Sequence, residues 1–138
     1  MARWTFSSLK RYEDLGLLIL RGGLGFFFIL HGWPKLVGGP DTWTALGKAM
    51  GVLGIDFLPV VWGFAATVAE LVGGIALILG YMTRPAAALL AFTMVVAALK
   101  HVAAGDPFLM RSSRPMELAV VFIALVILGP GRHSIDGK

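Results

Sequence analysis

Four apolar runs dominate the chain: Leu15 to about Leu30, Phe57 to Gly80, Pro85 to about Ala104, and Pro115 to Leu128. A helix that crosses a bilayer needs about 20 mostly apolar residues, so four crossings with short connections nearly use up the 138 residues. The composition agrees: 57% hydrophobic and 14% charged, against roughly 45–50% and about 25% in soluble domains. A soluble globular domain is excluded, and residues 1–138 read as a single transmembrane domain with no room for a second catalytic one.

No cysteine is present, which rules out an iron–sulfur cluster, a covalently attached haem, a thiolate zinc site and a disulfide. The net charge of +4 does not point to nucleic acid, because the 12 Lys and Arg are scattered along the chain rather than gathered in a stripe. Anionic lipid headgroups account for them more simply.

The first run follows the basic tail of Arg3, Lys10 and Arg11, as a signal peptide would. Its core, however, contains Arg21 and ends in His31-Gly32-Trp33-Pro34-Lys35 rather than a cleavage site. It reads as a retained helix over about 15–33. The second helix is expected over 58–80, with Pro59 in the first turn, where its missing N–H is not needed. Tyr81 to Arg84 forms a short connection to a third helix over 85–104. A fourth, over 115–129, stops at Gly129-Pro130-Gly131. Backbone hydrogen bonds must be satisfied internally in lipid, and the runs lack the two-residue alternation of barrel strands. The expected fold is therefore an all-α four-transmembrane-helix bundle. With the N-terminus inside, cytoplasmic segments carry Arg3, Lys10, Arg11, Arg84, Arg132 and Lys138, and outer loops carry Lys35, Lys48, Arg111 and Arg114. This balance places both termini in the cytoplasm and makes about 34–57 an outer loop.

An ionisable group at bilayer depth costs roughly 2.5–3.5 kcal/mol and is usually paired and turned inward. At about 1.5 Å per residue, Arg21 lies roughly 9 Å along helix 1 and Glu70 roughly 15 Å along helix 2. They are expected to form an intramembrane ion pair, with Glu70 as a proton-accepting carboxylate or simply as a group that fixes helix register. Ala66, Glu70 and Gly74, beside Ala65, Ala69 and Gly73, form stripes that let another helix approach closely.

A second polar layer gathers His31, Lys35, Lys100, His101 and Glu117 at one depth. Histidines beside a carboxylate can exchange protons, and with Phe27, Phe28, Trp33 and Trp62 nearby the set suits a quinone headgroup. Plainer roles stand beside this one. Glu117, two residues after a helix-starting proline, complements the helix dipole. Lys35 and Lys100 snorkel to headgroups, and the histidines bond to carbonyls. Two histidines on different helices are a weak basis for haem b, and a His-His-Glu metal site is equally weak, so no metal ligands are assigned. Gly22-Gly23-Leu24-Gly25 has no nucleotide-binding frame around it. No nucleophile with a base and an orienting acid can be assembled from Ser7, Ser8, Ser112, Ser113 or Ser134, so there is no self-contained catalytic motif.

Arg21, His31-Gly32-Trp33-Pro34-Lys35-Leu36, Glu70-Leu71-Val72-Gly73-Gly74, Gly80-Tyr81-Met82-Thr83-Arg84 and His101 together resemble the DoxX family of small four-helix bacterial membrane proteins. The order and spacing run from about Leu15 to Gly131. The resemblance implies a multi-pass protein of the bacterial inner membrane, in a group that includes subunits linked to thiosulfate:quinone oxidation and members of redox-stress complexes. By position, Arg21, His31, Lys35, Glu70, Arg84 and His101 match the family's polar positions, and Glu117 matches an acid at the start of the last helix. Trp33-Pro34 and Met116 depart from the pattern.

The expected function is that of an accessory membrane subunit of a quinone-linked oxidoreductase. It has lipids and a partner redox protein or a second copy as neighbours, and His31, His101 and Glu117 on the headgroup. Two alternatives belong to other classes: a small proton-coupled transporter using Glu70, and a purely structural anchor or assembly subunit.

Overall fold

The computed structural model describes residues 7–137; Arg3 and Lys138, counted above among the cytoplasmic cations, lie outside them. After a short 3-10 stretch, Ser7–Tyr12, the helices are α1 (Glu13–Val37), α2 (Gly39–Gly47), α3 (Pro59–Leu79), α4 (Thr83–Ala103) and α5 (Ser113–Leu128). Among the described residues there is no strand. Three helical runs, Ser8–Val37, Pro59–Leu79 and Thr83–Ala103, are long and apolar enough to cross a membrane. Helix α5, at 16 residues, rises only about 24 Å and follows the π-helical turn Phe108–Ser112.

Helices α1 and α3 pack through glycines. A Cβ on Gly25 would strike the Gly74 carbonyl, and one on Gly32 would meet Leu71 and Glu70. The two small-residue stripes of α3 serve different neighbours, since Gly74 faces α1 while Gly73 lies against Leu90 of α4. The core that joins the helices contains Phe28, Leu77, Leu90, Met94, Phe122 and Leu125. Phe28 of α1 meets Phe122 of α5 edge-on, with ring centroids 5.1 Å apart, which closes the bundle across its middle.

The segment 34–57, expected as an outer loop, is helical and packed. Helix α1 continues through Pro34 to Val37, and the chain turns at Gly39, whose φ of +79° suits glycine. Helix α2 then lies on the first half of α3 so closely that a Cβ on Gly47 would strike the Pro59 carbonyl, and one on Gly63 the Trp43 carbonyl. Trp43 stacks on Phe64 with centroids 4.8 Å apart and donates its Nε1–H to the Lys35 carbonyl at 3.0 Å. A 3-10 stretch, Lys48–Leu53, follows and ends at Gly54 in the left-handed region. The sequence reading missed this helix because its residues are only moderately apolar. They cover one face of α3 rather than crossing lipid unaided.

The C-terminal tail closes the end of the bundle where α1 begins. Backbone amides of Ile135 and Asp136 donate to the carbonyls of Leu79 and Gly80 at 3.2 and 2.9 Å. The Arg132 amide donates to Asp14 Oδ1 at 2.9 Å. The Asp136 carboxylate accepts from the amides of Met82 and Thr83 at 3.0 and 2.8 Å, giving α4 the N-terminal cap that Met82, at φ 49°, does not supply itself. The Thr83 amide above all, together with that of Met82, holds the Asp136 carboxyl below its ordinary 3.8. A depressed carboxyl stabilises the fold above its ordinary pKa and loses that contribution as pH falls through the depressed value. Asp136→Ala should therefore melt below the parent protein from about pH 5 to 8, with the gap closing below about pH 4; a gap that does not narrow on acidification below about pH 4 would contradict the cap.

Candidate functional site

Arg21 and Glu70 do not pair, contrary to expectation. Arg21 is fully buried at the end of α3, where Nη1 donates to the Leu77 and Ile78 carbonyls at 2.9 and 3.4 Å, and Nη2 donates to the His133 carbonyl. A cation is favoured there, because the last carbonyls of a helix have no intrahelical partners and carry the negative end of its dipole. Arg21 thus ties α1 to the end of α3 and to the tail.

Glu70 pairs instead with Lys35. Lys35 Nζ donates to both carboxylate oxygens at 2.9 and 3.0 Å. The Glu70 side chain is only 6% exposed, against 32% for Lys35. Helical side chains lean toward the helix N-terminus, so Lys35 reaches back one turn to the level of Gly32, where the missing side chain admits Glu70. Gly32, three residues before Lys35, was the available sequence signal. A first helix ending at 33 puts Lys35 on a loop, whereas α1 runs to Val37 and keeps Lys35 on the helix.

His101, at the far end of α4, has a partner that the sequence reading did not name. Its Nδ1 lies 2.7 Å from Asp106 Oδ2, on the turn after Gly105. With Nδ1 donating to the carboxylate, Nε2 remains for a ligand.

Two clefts meet at these groups. The first, about 370 Å³, lies between α3, α4 and the 3-10 stretch after α2. Its walls include Trp62, Ala65, Ala66, Ala69, Leu89 and Phe92, and Lys35, Glu70, Lys100 and His101 are the charged or titratable groups of its lining. The second, about 670 Å³, lies between α1, α4 and the start of α5, and is lined by His31, Lys35, Glu70, His101, Arg111 and Arg114 among others. Lys35, Glu70, Met94, Ala97 and His101 line both.

The expected polar layer is thus divided. His31 reaches only the second cleft and Lys100 only the first. Glu117 is exposed and lines neither. Its proposed helix-dipole role also fails, since α5 starts at Ser113 and no acid lies in its first turn. Among the described residues, no group of three or more His, Asp and Glu is placed to hold a metal.

Comparison with known proteins places these residues in a wider context. The DoxX family profile matches residues 16–103, which include Arg21, His31, Lys35, Glu70, Lys100 and His101. The inner membrane protein YqjF of Escherichia coli K12 is 37% identical over 131 residues, covering 93% of this chain and 95% of that protein. The inner membrane protein YphA of the same strain is 33% identical, covering 93% and 97%. An uncharacterized Haemophilus influenzae protein is 34% identical, covering 96% of each. No solved structure matches the chain.

Proposed function

The chain belongs to the DoxX family and is an inner-membrane protein, and on that footing we propose that it binds a quinone-type headgroup as a membrane subunit of a redox assembly. The observation that carries this reading is the lining of the first cleft: mostly apolar side chains, with Lys35, Glu70, Lys100 and His101 among them. Leu89 and Phe92, on its wall, are each about half exposed (48% and 51%) on the flank of the bundle. A ligand with an apolar tail can therefore enter sideways from lipid and bring a polar head to those charged or titratable groups.

The side chains there suit a ring bearing carbonyl oxygens. Lys100 can donate to such oxygens, and so can His101 Nε2 when the ring carries both protons and Nδ1 donates to Asp106; Asp106 keeps the imidazole oriented, and Trp62 and Phe92 offer aromatic faces. When bound, the quinone supplies the electron and proton exchange, and with no cysteine in the chain the electrons come from a partner protein. His101, held by Asp106, is the group placed to pass a proton to the head. The transport alternative needs Glu70 to trade partners, whereas Lys35 occupies both of its oxygens; the binding reading is the better supported.

Trp62 lines the cleft, so tryptophan fluorescence in nanodiscs titrated with a short-tail quinone reports binding directly. Saturable quenching is expected, absent in Trp62→Phe. Lys100→Gln and His101→Ala should each weaken it about tenfold, the equivalent of one hydrogen bond to a charged group. Quenching that does not saturate, or that both variants leave unchanged, would overturn the reading.

A further inference from the structure

The second cleft differs from the first in its charge. Lys35, Arg111 and Arg114 line it against one carboxylate, Glu70, and Lys35 already neutralises that carboxylate at 2.9 and 3.0 Å. Two guanidinium groups are left over, with His31 and His101 beside them. Among the described residues, neither arginine side chain makes an ion pair or hydrogen bond.

Their placement follows from an unusual backbone. In the π-helical turn Phe108–Ser112 the Ser113 amide donates to the Phe108 carbonyl, five residues back. The wider turn joins α5 so that Arg111 and Arg114, on either side of the junction, both line the cleft. Such turns recur at functional sites. Arginines that only reached for surrounding headgroups would not need a shared concave site.

We propose that this cleft binds a phosphate-class anion, carried by an acidic phospholipid or free in solution, through Arg111 and Arg114. The planar guanidinium fork matches two phosphate oxygens at once, a geometry that a neutral ring carbonyl does not use. The anion would supply the charge missing from the lining. The two clefts share Lys35, Glu70 and His101, but Arg111 and Arg114, which carry this proposal, do not line the first cleft, so their substitution tests it apart from the quinone reading.

The test uses the full chain purified in a neutral detergent and has two arms. Native mass spectrometry measures retention of phosphatidylglycerol against phosphatidylcholine. Thermal melting measures stabilisation by inorganic phosphate against chloride at equal ionic strength. Retention of phosphatidylglycerol at least tenfold over phosphatidylcholine, lost in Arg111→Gln/Arg114→Gln, supports the site with a lipid occupant. Phosphate-specific stabilisation, lost in the same variant, supports it with a free anion. Both arginines are exposed, so the variant should fold, and the two single substitutions, each expected to lose part of the preference, give a reading if it does not. No preference in either arm, or a preference that persists in the variants, would overturn the proposal.

Discussion

Arg21→Leu should lower the stability of the folded chain by about 3 kcal/mol, because the buried carbonyl of Leu77 and the partly buried carbonyls of Ile78 and His133 lose charge-assisted hydrogen bonds of about 1.5–3 kcal/mol at most, with partial overlap. Arg21→Lys should recover little of this. An ammonium is a point charge on a flexible stem and cannot hold the end of α3 and the tail together as a planar fork does. The same substitution should release the tail, since the Arg21 guanidinium packs against Gly80, which in turn lies under Ser134. Unfolding in a detergent titration, followed by tryptophan fluorescence, gives the energy; trypsin cleavage at Arg132 reports the tail. Stability within about 1 kcal/mol of the parent would contradict this role.

The second large effect concerns the Lys35–Glu70 pair. Lys35→Met leaves a largely buried carboxylate without its ion-pair partner, and should cost about 3 kcal/mol. That is the lower end for a buried pair, because Lys35 keeps a third of its side-chain surface exposed. Glu70→Met, which strands the more accessible lysine, should cost less. The double substitution should restore most of the stability lost in Lys35→Met, since two apolar groups of similar size leave no uncompensated charge. A double-mutant cycle in the same titration measures the coupling. Additive losses would mean that the two side chains act independently.

These two sites mark how far the sequence could be read. The apolar runs, the terminators Gly80 and Gly129 and the small residues of α3 identified the helices and their close contacts, because hydropathy and glycine act locally. Arg21 and Glu70 stood out for the same reason: a charge within an apolar run is conspicuous whatever the fold. Their partners did not, because partners depend on where each helix ends. Once α1 continues through Pro34 to Val37, Lys35 comes level with Glu70; with the helix ended at 33, Arg21 seemed the nearest cation. Depth counted along one straight helix also placed Arg21 and Glu70 on a common ruler, whereas Arg21 serves the last turn of α3 and Glu70 lies two turns deeper. Depth alone placed Glu117 with the histidines, and the earlier start of α5 turned it to the outside. Asp106, Arg111 and Asp136 sit on turns and on the tail, and Arg114 in the first turn of α5, where the path of the chain follows from packing rather than from any repeating pattern.

Photoaffinity labelling of the membrane-embedded protein with an azido-quinone tests most directly the claim that the α3–α4 cleft receives a quinone-type head at Lys100 and His101. The account predicts that the label falls on residues 62–70 of α3 and 92–101 of α4 and that excess unlabelled quinone displaces it. Labelling spread over the flanks of the bundle, or labelling that unlabelled quinone does not reduce, would contradict it.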